Sequence, residues 1–405
     1  MKTRAILGAV LTVLLAAGVF AAPASQKDQK KDQTERKGAK KPAAKETDKA
    51  KAETKYFQLD PVVIDVVEKA RDVETPNMSV VKPELFPLGI GTTIDTALDR
   101  QAGVSVQRIQ EVGAAMDDDS VKIRGLGGRR IRVLRDGRLL NTSGAAGGYF
   151  VDFTMIPLTD VDRVEVVKGV GDARTGNSLG GVLNLVPRRL PTGRAVSEVE
   201  VSAASFGGLG VNVHHAYKPG AFEYSLTGRL TRSDGYLVNG GTNFGYFSAH
   251  TGLDLTFGGR LTFDVSYSRV RKGFVVSNRL AKDYEDPAYL QALDDGFLAS
   301  DGEYMYGGMG AYPEPGSWWT KYRWLFELGY EQSLGRDGLL RLSYWRNHGD
   351  REAYNTRAAL ERVFHKVFYD DRSQGFSASY RKAFGAHVLT AGVDYDDLGD
   401  AGDAN

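Results

Sequence analysis

Alternation with a period of two runs through the second half of this chain, and no other feature restricts its fold as tightly. In "FEYSLTGRLTR" (222–232), Phe222, Tyr224, Leu226 and Leu230 share one side, against Glu223, Ser225, Thr227, Arg229 and Thr231. "RLTFDVSYSR" (260–269), "WLFELGYE" (324–331), "LRLSYW" (340–345), "FSASYR" (376–381) and "LTAGVDY" (389–395) repeat the pattern. Successive side chains of a strand point to opposite faces, so each run is a strand with one apolar and one polar face. A bilayer-crossing strand needs about 9–11 residues, and apolar-out, polar-in alternation with aromatic ends marks a membrane barrel. A soluble sandwich or propeller alternates as well, and the connections separate the two. Those at 218–220, 257–259, 333–337 and 384–386 are short, whereas those at 233–243, 272–318 and 348–371 are long. The hairpin near Gly207-Gly208 is also tight. Short turns at one rim and long loops at the other belong to a barrel, and a sandwich gives no reason for them. The region 196–405 is thus expected to hold about nine barrel strands. Nine strands ending in "DYDDLGDAGDAN" do not look closed, and an open edge in lipid leaves backbone groups unpaired. The expectation is an N-terminal portion of a longer barrel.

The N-terminus sets the compartment. Lys2 and Arg4 precede an apolar run from Ala5 to Ala22, followed by the small residues Ala22-Pro23-Ala24. This is the layout of a secretory signal peptide over 1–24; a membrane anchor would be longer and lack the cleavage-like end. Residues 25–55 are mostly Lys, Ala, Asp, Glu and Gln with no apolar β-branched or aromatic residue, which reads as a solvated linker. Acidic residues interleave its lysines, which argues against a basic arm for nucleic acid or anionic lipid. The whole chain has a net charge of only +1 and no cysteine. The first points away from nucleic acid; the second removes disulfides, thiolate metal sites and cysteine nucleophiles.

Between linker and barrel lie two further regions. In 56–92, Val62, Val63, Ile64, Asp65, Val66 and Val67 form an extended β-branched run behind Pro61. Such a run can add to another protein's sheet edge or form an ordinary internal strand. Residues 93–195 read as a compact α+β domain. Thr93 can cap a helix across 93–110, "GVSVQRI" (103–109) alternates, and "VKIRGLG" (121–127), "RIRVLRDG" (130–137), "VDRVEVVKG" (161–169) and "GGVLNLVPR" (180–188) are strands. Val121, Ile123, Ile131, Val133 and Leu134 are expected in the core. Lys122, Arg124, Arg130, Arg132 and Arg135 would form the opposite, polar face, and Asp136-Gly137 a tight turn. That arginine face either binds an anion or packs against charged protein. No catalytic constellation is legible, so no enzyme is expected. The paired His214-His215 point to opposite faces of a strand, "DDD" (117–119) lacks a calcium-loop spacing, and no metal or cofactor is implied. The stretch "YMYGGMGAYPEPGSWW" (304–319) in the longest loop is either a ligand surface or a loop core.

"SVKIRGLGGRRIRVLRDG" (120–137), "DVDRVEVVKG" (160–169) and "SLGGVLNLVPRR" (178–189), in that order, resemble the plug domain of TonB-dependent outer-membrane receptors. The resemblance covers 59–195, and 197–405 is similar to the start of their barrel. It implies an α+β plug domain followed by a transmembrane antiparallel β-barrel, here incomplete, in the Gram-negative outer membrane. It also implies energised uptake of a scarce ligand such as a ferric siderophore, haem or cobalamin. The partners implied are TonB with its inner-membrane energising complex, a small-molecule or metal-chelate ligand and outer-membrane lipid. Val62 to Val67 sit where the family has its TonB box. Arg124 and Arg163 match plug arginines paired with barrel carboxylates, and Glu327 and Glu331 are the partners by position. Gly125, Gly169, Gly180 and Gly181 match turn or close-approach glycines. The alternatives are a passive porin-like or adhesive surface barrel without TonB coupling, and a nonfunctional truncated gene product.

Overall fold

The computed structural model describes residues 77–82, 93–107, 120–127, 130–141, 151, 153–169, 178–188, 195–273, 316–335, 337–357, 362–385, 387–399 and 403–404. The expected signal peptide, the linker and the run Val62–Val67 lie outside them.

The plug region holds two small sheets. The larger contains β1 (Met78–Val81), β5 (Ile131–Arg135), β6 (Arg138–Leu139), β7 (Val161–Lys168) and β8 (Gly181–Pro187), in the spatial order β1-β7-β8-β5-β6. The smaller is the meander β2 (Val104–Gln107), β3 (Ser120–Ile123) and β4 (Leu126–Gly127). β5 and β8 run parallel, and the other pairs are antiparallel. β8 is apolar on both faces because it is covered on both. Leu183 and Leu185 join the main core with Ile131, Val133, Val164 and Val166, while Val182 packs with Leu134 and Leu139 on the other side. Leu134 therefore lies across the sheet from Ile131 and Val133, and Arg135 shares their side. For Leu134 and Arg135 this exchanges the expected sides, and strict alternation along β5 is the reason; Val121, Ile123, Ile131 and Val133 lie in the core as expected.

The helix is shorter than expected. α1 covers Ile94–Leu98 only, capped where the Thr93 amide donates to Thr96 Oγ1 at 3.2 Å. The chain turns at Gly103, φ +76°, straight into β2. Arg124 is not on a strand face either. It occupies the tight β3–β4 turn with φ +51°.

The second half forms one sheet of β9 (Val196–Ala204), β10 (Gly208–Tyr217), β11 (Phe222–Ser233), β12 (Thr242–Asp254), β13 (Gly259–Gly273), β14 (Trp318–Leu334), β15 (Gly338–Arg357), β16 (Arg362–Asp371), β17 (Gln374–Phe384), β18 (His387–Asp397) and the two-residue β19 (Asp403–Ala404). Its path runs β18-β17-β15-β14-β13-β12-β11-β10-β9, with every pair antiparallel. Nine strands thus lie side by side, and among the described residues β9 and β18 do not meet. β15 pairs with β16 over its outer part and with β17 over its inner part. β16 and β17 are one strand line broken at Arg372-Ser373, where the Asn347 amide donates to the Ser373 carbonyl at 2.8 Å. Residues 348–371, expected as a loop, are therefore mostly strand. Charged residues at consecutive positions, such as Asp350, Arg351 and Glu352, hide the period-two pattern there.

The four connections 218–221, 255–258, 335–337 and 385–386 share one end of this sheet. The connections 205–207, 234–241, 274–317 and 358–361 share the other. Apolar side chains point outward along the strands: Leu230, Phe263, Leu328 and Tyr344 are all exposed. The opposite side chains face the plug, where Thr227, Arg229, Ser248 and Ser268 are buried.

Candidate functional site

The plug and the sheet meet through a small set of polar groups on a short hairpin and one turn. Asp136 and Gly137 have φ +51° and +86°, a type I′ turn that places Arg135 opposite Arg138. Both guanidinium groups therefore leave the hairpin tip together, toward the sheet.

Arg135 Nη2 donates to Asp160 Oδ2 at 2.6 Å. Asp160 stands at the end of a 3-10 turn, Leu158–Asp160, behind Pro157. Its carboxylate accepts two further bonds from the sheet, from Tyr246 Oη at 2.6 Å and from Ser248 Oγ at 2.7 Å. Arg135 Nη1 also donates to Tyr246 Oη at 3.3 Å. All four residues are buried. Burial opposes the Arg135 charge, yet Asp160 and Tyr246 outweigh it, and its pKa lies above the ordinary arginine value. Asp160 is thus a plug carboxylate held by the barrel wall.

Arg138 is less well placed. It pairs with Glu327 at 3.3 Å and donates to the Phe326 carbonyl at 3.1 Å. Its Nε is buried without a hydrogen-bond partner. Burial lowers the Arg138 pKa, and Glu327 only partly offsets that. From the sheet, Arg323 reaches the plug carbonyl of Leu140 at 2.8 Å and Asp371 at 2.9 Å. Apolar contacts reinforce the seat: Leu325 joins the plug core, and Met155 packs with Phe244, Tyr246 and Val270.

Among the described residues, neither Arg124 nor Arg163 pairs with Glu327 or Glu331. Arg124 donates to Asn77 Oδ1 at 2.8 Å, within the plug. Arg163 pairs with Asp162 at 3.2 Å and Glu165 at 3.1 Å, beside and two residues along its own strand. Glu331 pairs with its cross-strand neighbour Arg341 at 2.7 Å, so both partners belong to the sheet. Glu327 meets a plug arginine, but that residue is Arg138. Gly125 and Gly169 sit at turns with φ +80° and +111°. Gly180 and Gly181 lead into β8; a Cβ on Gly181 would lie 2.4 Å from the Val167 carbonyl oxygen. Sequence reasoning missed Arg138, Asp160, Tyr246, Ser248 and Arg323. The Asp-Gly turn carried a usable signal for the first, since a two-residue turn sets its flanking residues side by side.

A second cluster lies on the same inward face, toward the long-connection end. Lys272 on β13, Trp319 and Lys321 on β14, and Arg351 on β15 are all buried. Register makes Lys272 the neighbour of Trp319, and Lys321 the neighbour of Arg351. Lys272 Nζ, Lys321 Nζ and the Arg351 guanidinium lie 4.8, 4.5 and 5.7 Å from the Trp319 ring centre. Three cations thus surround one buried indole.

Residues 71–182 match the model of the TonB-dependent receptor plug domain. The vitamin B12 transporter BtuB of Photobacterium profundum is 31% identical over 138 residues, 34% of this chain and 21% of that protein. BtuB of Vibrio vulnificus is 31% identical over 157 residues, 37% of this chain and 24% of that protein. Among solved structures, the unliganded ferric citrate transporter FecA superposes with a TM-score of 0.61 at 19% identity, covering 82% of this chain and 48% of FecA. The siderophore receptor PirA from Acinetobacter baumannii gives 0.60 at 18% identity, covering 81% and 48%. The match thus spans about half the length of these solved receptors and a fifth to a quarter of the BtuB proteins. The chain thus carries a TonB-dependent receptor plug domain, followed by antiparallel barrel strands whose sheet is open among the described residues and superposes on the barrels of such receptors.

Proposed function

We propose that this protein acts in TonB-coupled, energised uptake of a scarce ligand such as a ferric siderophore, haem or cobalamin across the outer membrane, after export by the signal peptide at 1–24. The observation that carries this reading is the plug's seat. Asp160 is held to the barrel wall by the Tyr246 and Ser248 hydroxyls, bonds that water can replace. A plug that only had to block the pore could be fixed by an apolar interface, whereas one that must be shifted needs contacts that yield. Val62 to Val67 would supply the strand that TonB pairs with. The named relatives, vitamin B12 and ferric citrate transporters, support a scarce and bulky ligand.

The direct test is a synthetic peptide of residues 59–71 titrated against the C-terminal domain of TonB. Saturable binding is expected, and its loss when Val63 and Val66 are replaced by proline, which removes the ladder donors. A peptide with no measurable affinity overturns the coupling.

A further inference from the structure

The outward face of the sheet changes character toward the long-connection end. On β13, Leu261 and Phe263 are exposed and apolar, and Arg269 and Arg271 follow on the same face. On β11, Leu230 is 48% exposed and Arg232 follows it. Register places Arg232 opposite Asn243, and Asn243 opposite Arg271, so the two arginines share one row, about 10 Å apart. The Arg271 guanidinium lies 4.2 Å from the Trp318 ring centre, and Trp318 stacks on Tyr354 at 5.6 Å. The acid nearest in register to Arg269 is already engaged: Asp350 accepts from Tyr322 Oη at 2.5 Å and pairs with Arg372. Among the described residues, neither Arg232 nor Arg269 forms an ion pair with an acid. The opposite end differs. Its outward residues include Tyr217, Phe222, Tyr224, Tyr330 and Phe384, with Lys382 as a cation 5.0 Å from the Phe384 ring centre. β11, β12 and β13 each have strand neighbours on both sides, so this arginine patch is not a pairing edge.

We propose that Arg232, Arg269 and Arg271 form a binding surface for phosphate-bearing lipid headgroups of the leaflet at the long-connection end. Guanidinium forks match phosphate oxygens, and arginine keeps its charge at any working pH. The apolar belt directly below fixes the height: acyl chains lie against Leu230 and Phe263 while the phosphate meets the row above. Trp318 beside Arg271 adds the aromatic residue expected at that boundary. This inference rests on the barrel being embedded in a bilayer.

The full chain, solubilised in detergent, would be titrated with dilauroyl phosphatidic acid and with dilauroylglycerol, which has the same tails and no phosphate, with bound lipid counted by native mass spectrometry. Phosphatidic acid should bind with at least about tenfold higher affinity than dilauroylglycerol. Replacing Arg232, Arg269 and Arg271 together by glutamine should remove that preference, replacing them by lysine should keep part of it, and Lys382→Gln should leave it unchanged. Equal binding of the two lipids by the parent chain, or an undiminished preference in the triple glutamine variant, overturns the proposal. If the glutamine variant fails to enter micelles, the lysine variant decides: preference reduced but present supports the patch, and preference unaltered from the parent sinks it. Failure of the barrel reading itself would look different, as a parent chain that stays soluble without detergent.

Discussion

At Asp160 three donors converge on one buried carboxylate, and the charge of Arg135 depends on it. Removing one member of a buried pair strands the other, which typically costs about 3–5 kcal/mol. Asp160→Asn should therefore destabilise the plug by that amount, measured as a drop in its urea midpoint in detergent. Tyr246→Phe should cost only about 1 kcal/mol, because Arg135 and Ser248 still hold the carboxylate. Arg138 makes the contrast. Its Nε has no partner, and Glu327 keeps 21% of its side chain exposed and can rehydrate. Arg138→Met should change stability by no more than about 1 kcal/mol in either direction, since a poorly satisfied buried pair adds little. A larger loss from Arg138→Met than from Asp160→Asn would mean that the roles of the two arginines are the reverse of those drawn from their geometry.

Elements of the plug depend on glycine unequally. Gly181 opens β8 with φ +139°, and a Cβ there would sit 2.4 Å from Val167 O and 2.9 Å from Ile123 Cδ1. Gly137 has φ +86°, and a Cβ would meet nothing within 4 Å. Gly137→Ala carries the left-handed backbone penalty of about 1–2 kcal/mol, whereas Gly181→Ala also forces β7 and β8 apart. Limited proteolysis should show Gly181→Ala opening the plug at protease levels that Gly137→Ala survives; equal resistance would contradict the close approach. The same contrast explains what the sequence made legible. Strands β11, β13 and β14 were readable because lipid on one side and water on the other impose a strict period. The hairpin of β15 and β16 was not, because consecutive charged residues such as Asp350, Arg351 and Glu352 mask the period. Asp160 was invisible for another reason: its partners Tyr246 and Ser248 lie 86 and 88 residues away and read as ordinary inward-facing positions. Arg124 misled because a residue between two alternating runs looks like strand until the tight turn at Gly125 is known.

Over the whole molecule, plug and sheet are held by different physics, and they should come apart in order. The plug is seated by Asp160, Arg138, the Arg323 contact to Leu140 and a few apolar side chains such as Leu325 and Met155. Urea solvates such contacts directly. The strands β10 to β15 are joined by continuous ladders up to the Trp318–Tyr354 pair of β14 and β15. Opening those ladders inside a micelle leaves each freed backbone group unpaired in apolar surroundings, at several kcal/mol apiece. Urea should thus produce two transitions, with the plug first. Hydrogen exchange provides the check: protection at Val133 and Leu183 should vanish at the first transition while that at Ser248 and Leu325 survives. Asp160→Asn should move the first midpoint and leave the second in place. A single transition for both sets of amides, or equal shifts of both midpoints, would show that plug and wall form one cooperative unit. A plug that cannot be loosened without unfolding its wall could not be displaced by a pull on its N-terminal strand, so the same experiment decides whether the seat at Asp160 is a latch or part of a single rigid body.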